Sequence, residues 1–167
     1  GNTADDSGGG VFVNNGTFEM SGGTIGGTGT GDANQASSGG GVYVSGGTFT
    51  MSGGTITGNK VSYSYGDGGG VFVNYNGTFN MSDDSRITGN TAFRGGGVYV
   101  ERILGSNNYN KPGNFAMSSG TIGGKATNDA NQAEYGGGVY VAGAFTLTGG
   151  SIPGNKTKGN GGGVYVN

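Results

Sequence analysis

The chain has no cysteine, no histidine and no tryptophan, and only two prolines in 167 residues. Without cysteine there are no disulfides and no thiolate metal sites. Without histidine the commonest metal ligand and the usual general base are both missing. Charge is sparse as well: eight Lys and Arg against ten Asp and Glu leave a net charge of −2. No basic stripe is present to displace counterions from a phosphate backbone, which argues against a nucleic-acid partner. No apolar run approaches the roughly 18 residues of a membrane span, and no signal-peptide pattern opens the chain.

Glycine is what the chain has in abundance, at 44 residues, with hydrophobic residues at 31%. Such a composition without periodicity would indicate a disordered segment. Here it is periodic. The phrase G-G-G-V-[FY]-V begins at Gly8, Gly39, Gly68, Gly95, Gly136 and Gly161. The first five copies are each followed by a second block: "GTFEMSGGTI", "GTFTMSGGTI", "GTFNMSDDSRI", "GNFAMSSGTI" and "GAFTLTGGSI". A third element, "GN", ends on Asn2, Asn59, Asn90 and Asn155, while "GG" stands in its place in two repeats. Repeats of this size point to a solenoid.

Period-2 alternation assigns the faces. Val42 and Val44 share one face and Tyr43 the other. Phe49 and Met51 share a face, and the position between them is Glu19, Thr50, Asn80, Ala116 or Thr146 in the five copies. A position that accepts Glu, Asn, Thr and Ala faces water, so Phe, Met and the Ile that closes each block face inward. Blocks of constant length joined by links of variable length suit a stacked β-coil. The predicted fold is therefore all-β: one domain over residues 1–167, a right-handed parallel β-helix of about five to six rungs. Glycine at the corners would let successive coils approach closely. No rung would be stable except through its neighbours.

"GGGVYV…GTFTMSGGTITGN" resembles the repeats of large bacterial cell-surface proteins and adhesins with pectin-lyase-like β-helices. It is similar, more loosely, to the repeats of polymorphic outer-membrane autotransporter passengers. The resemblance covers essentially the whole chain and implies an exported scaffold displayed outside the cell. Both ends of the chain cut a repeat, which leads to the expectation of a segment of a longer array or of a protomer that stacks end to end.

Catalysis is not expected. The acidic residues lie mostly in loops, and the two that recur, Asp32 and Asp129 in the duplicated "DANQA" segments, would stand about 14 Å apart by the rung spacing, too far for a carboxylate pair. No metal site or cofactor is expected either. "GGTGTGDAN" approaches a calcium-binding nonapeptide, but its Asp falls one place late and the match does not recur. The DANQA pair admits two readings, a duplicated repeat or paired protrusions that meet a partner. A flat threonine array of the ice-binding kind is interrupted by Arg86 and Ser151.

Two surface features are candidate contacts. Phe12, Tyr43, Phe72, Tyr99, Tyr140 and Tyr165 occupy one position in all six copies and should form an outward ladder of rings. It could serve neighbour stacking alone, packing against another protomer, or carbohydrate binding. The insertion "ERILGSNNYNKPGN" at 101–114 reads as a surface loop, with Arg102, Tyr109 and Lys111 as its candidate contacts.

The function expected is a non-enzymatic extracellular scaffold or adhesin segment, with a glycan or host surface protein as its partner. The alternatives are a self-assembling filament subunit and a carbohydrate-binding or carbohydrate-active β-helix protein.

Overall fold

The computed structural model describes residues 1–102, 111–126 and 128–167. Among the described residues every regular element is a β-strand and every strand pairing is parallel. The strands fall into curled sheets consistent with a parallel β-solenoid. The first sheet holds six strands: Val11–Asn14, Val42–Ser45, Val71–Val73, Val98–Val100, Val139–Val141 and Val164–Val166. They are ordered as they occur in the chain and paired with no register slip, Val42 on Val71, Val71 on Val98 and Val98 on Val139. The second sheet is built from the Phe–Met–Ile blocks, from Thr17–Gly26 to Ala144–Leu147. A third row is mostly short bridges, running Thr3, Gln35, Lys60, Thr91, Gln132, Lys156.

Each repeat sends the same side chains inward, as the alternation requires. Val42, Val44, Phe49, Met51 and Ile56 are fully buried, and so are their counterparts in the next two repeats to within 1%. Because neighbouring strands lie about 4.8 Å apart, identical residues stack on one another. The rings of Phe49, Phe79, Phe115 and Phe145 follow at 4.8 Å intervals, nearly parallel. Each such side chain contributes roughly 1.5–3 kcal/mol of burial. These contributions come from contact between repeats, so a single repeat has no core of its own.

The glycine triplet makes the corner before each valine strand. Its first residue has positive φ in every copy, between 62° and 72°, where a Cβ would be strained. In the first five copies the third has no room for a side chain. A Cβ on Gly97 would lie 2.5 Å from the Gly138 carbonyl oxygen and 2.9 Å from Ile122 Cγ2. That close approach lets the corner continue the sheet, with Gly95, Gly96 and Val98 donating to the carbonyls of Tyr135, Gly136 and Gly138.

Candidate functional site

One structural device is only half visible in the repeat. Asparagines form a column, Asn2, Asn34, Asn59, Asn90, Asn131 and Asn155, whose four middle members are buried. Each of the first five donates its Nδ2 to the Oδ1 of the next, at 2.8 to 3.0 Å. Each also donates its backbone N–H to the same oxygen. From Asn59 onward, Nδ2 reaches a carbonyl of the Ile column too: Ile25, Ile56, Ile87 and Ile122 in turn. Every donor and acceptor in the middle of the column is used. Among the described residues no buried side-chain nitrogen or oxygen lacks a partner.

This column explains the two repeats in which "GG" stands for "GN". There the sequence carries six extra residues, 28–33 or 125–130, before the asparagine that takes the place in the column. Asn34 and Asn131 are the asparagines of the two DANQA segments. They are 3% and 0% exposed, and Gln35 and Gln132 beside them join the third row. These two residues therefore serve the interior, whereas the residues before them form the loop. Asp32 closes a turn within its own loop, its Oδ2 accepting the Gly29 N–H at 3.0 Å. Asp129 lies 3.8 Å from the Arg86 guanidinium. No group of three or more potential metal-ligating side chains is found among the described residues.

The ring ladder is present on the outer side of the valine sheet. Phe12, Tyr43, Phe72, Tyr99, Tyr140 and Tyr165 follow with centroids 4.8 to 5.3 Å apart. It is not an open strip along its length. Phe72, Tyr99 and Tyr140 are 6%, 2% and 5% exposed, whereas Phe12 is 51% exposed. Arg94 is one cause: its guanidinium lies over Tyr99 and Tyr140, 5.0 and 5.4 Å from the ring centroids. Arg94 is itself fixed by Asp67, donating from Nε to Oδ1 at 2.9 Å and from Nη2 to Oδ2. Tyr135 and Ala142 pack against the same rings. Burial pushes the Asp67 carboxyl above its ordinary pKa even though Arg94 pulls it down. The Arg94 guanidinium is held charged chiefly by its bond to Asp67. Burial, followed by the charges of Glu101 and Asp67, raises Tyr99, with Arg94 opposing.

At the borders of the insertion the Gly113 N–H donates to the Glu101 carbonyl at 2.9 Å. Arg102 and Lys111 flank it and are exposed. The Lys111 backbone is tied to the turn of the preceding repeat, its N–H donating to Asn76 Oδ1 at 2.7 Å and its carbonyl accepting from the Asn76 N–H at 2.8 Å. Tyr109 lies outside the described residues. The structure does not bring Arg102 or Lys111 into the ring ladder. The threonine row is interrupted as expected, Thr55 pairing with Arg86, Arg86 with Thr121, and Thr121 with Ser151.

A concave surface that the sequence did not point out lies along the third row. It is a groove of about 460 Å³, walled in part by Lys60, Tyr63, Phe93, Gln132, Lys156 and Lys158. Its residues come from links of unequal length, so no shared motif marks them. No described helix is long and apolar enough to cross a membrane. Compared with known protein families, with curated proteins and with solved structures, the chain matches none.

Proposed function

We propose that the chain is a non-enzymatic scaffold displayed outside a bacterial cell, a right-handed parallel β-helix of five to six rungs whose outer surface carries the contacts. The observation that carries this reading is where the repeated residues go. Val, Phe, Met, Ile and Asn, the residues that recur, lie in columns inside the coil or against the Phe and Ile columns. In the first five copies the corners have no space for a side chain on the triplet glycines. Positions that vary lie on the outer face, as between the inward Phe and Met, where Glu19 is exposed and Thr50 and Asn80 are half-buried. Repetition thus serves rigidity, and variation is left to the surface. The right-handed sense rests on the strong right-handed preference of parallel crossovers.

A filament subunit is the second reading, favoured by large apolar side chains on the surface. Leu147, Val166 and Phe12 are 49%, 74% and 51% exposed. Negative-stain electron microscopy with light scattering over a concentration series separates the two. Discrete short rods at all concentrations support the scaffold, and regular filaments replace it with assembly. Limited proteolysis adds a direct check. A scaffold should be cut in exposed loops and resist elsewhere, and rapid digestion through the valine strands would overturn the reading.

A further inference from the structure

The groove along the third row holds lysines that form no ion pair among the described residues. Three of the chain's five lysines, Lys60, Lys156 and Lys158, line it against the single carboxylate of Glu134. The chain as a whole is negative, at −2, so this surface opposes the overall sign. Among the described residues two ion pairs occur, Arg86 with Asp129 and Arg94 with Asp67, and neither includes a groove lysine. Lys60, Lys156 and Lys158 are all exposed. Such a patch is complementary to an anion.

The rest of the lining narrows the choice of anion. Strand pairing puts Lys60, Thr91, Gln132 and Lys156 in one row, with the two lysines about 14 Å apart across three strand spacings. A hydroxyl and an amide stand between them. Phe93 and Tyr63 supply aromatic surface; Tyr63 is 67% exposed. The groove crosses the strands, so an extended peptide lying in it could not pair with them as an added strand. A chain of sugar rings needs no such pairing. It offers apolar ring faces to Phe93 and Tyr63, hydroxyls to Thr91 and Gln132, and spaced anionic groups to the lysines.

We propose that this groove binds a linear acidic polysaccharide, one whose sugars bear carboxylate or sulfate groups. The proposal deepens the scaffold reading by naming a ligand. It can fail while the protease resistance that tests the scaffold stands.

The test is calorimetric titration of the chain with uronate and sulfated hexasaccharides, beside a neutral glucan of equal length, poly-glutamate and a single-stranded oligonucleotide. One of the two acidic sugars should bind, more weakly as salt is raised, and the neutral glucan should not. The K60Q/K156Q/K158Q variant should lose about tenfold in affinity, and Y63A should weaken binding at an unchanged Tm. Both variants alter exposed side chains, so circular dichroism should match the parent. Silence with both acidic sugars overturns the proposal. So does equal affinity for the glucan, the peptide or the oligonucleotide, or an unaltered affinity in the triple lysine variant.

Discussion

Asn90 donates both its backbone N–H and its Nδ2 to a single atom, Asn131 Oδ1, each at 3.0 Å. Asn131 in turn donates to Asn155 Oδ1 and to the Ile87 carbonyl. Both residues are fully buried, so no water replaces a lost partner. Asn131→Ala would orphan the Asn90 N–H and remove the bond to Ile87, a loss of about 3 kcal/mol. Asn2→Ala, at the exposed end of the same column, keeps its backbone bond to Asn34 and should lose under about 1 kcal/mol. Urea unfolding of the two variants checks this. Equal losses at both positions would mean that the column is not a cooperative element.

Sequence reasoning reached the faces of this coil and missed part of its interior. Val42, Tyr43 and Val44 could be assigned because alternation within a strand is a local property. The Asn column could not be read whole, since Asn34 and Asn131 stand six residues beyond the places where the other repeats predict them. Only the stacking of one repeat on the next shows that a loop has been inserted and the register recovered. The ring ladder was legible as a row, but its burial was not. That depends on Arg94 and Tyr135, which share the position before the glycine triplet, where the residue type varies among the copies.

Tyr43 gives the ladder a pH signature. Burial, aided by the negative charges of Tyr75, Asp6 and Glu101, pushes its hydroxyl from 10.0 up to about 12, against a lowering hydrogen bond to Asn74. The folded chain therefore keeps this proton over a range in which the unfolded chain has released it. The stabilisation is complete below pH 10, and it is lost as pH rises toward 12. Tyrosinate absorbance during an alkaline titration should show a late step. The Y43F variant should lack one tyrosine's share of that step and show a flatter fall in stability. A Tyr43 that titrates near its ordinary value would contradict the burial.

Glycines with different surroundings should respond differently to the same change. Gly97→Ala places a methyl 2.5 Å from the Gly138 carbonyl oxygen, 2.9 Å from Ile122 Cγ2 and 3.1 Å from Asn131 Nδ2. The first of these is backbone held by its own ladder, so relief requires the repeats to separate. A loss of about 3 kcal/mol or failure to fold is expected. Gly22→Ala meets nothing within 4 Å and carries no positive φ. It should be neutral, or stabilise by up to about 1 kcal/mol through the unfolded chain. Thermal unfolding of the pair decides whether the triplet glycines recur for space.

The six-residue insertions test whether the coil or the loop sets the register. Gly26 pairs with Thr57, and a Cβ on Gly58 would meet the Gly27 carbonyl, so the first repeat is in step through Gly27. It is in step again at Gln35, which pairs with Lys60. Residues 28–33 lie between these two matched points and contribute no strand. Removing them joins Gly27 directly to Asn34 and reproduces the Ile–X–Gly–Asn spacing found at Ile56, Ile87 and Ile152. The shortened chain should keep its fold and its column of asparagines, with stability changed by no more than about 1 kcal/mol, because surface loops contribute little beyond closure entropy. Circular dichroism and urea unfolding measure this. A chain that no longer folds would assign residues 28–33 a structural part, and the register would then belong to the loop.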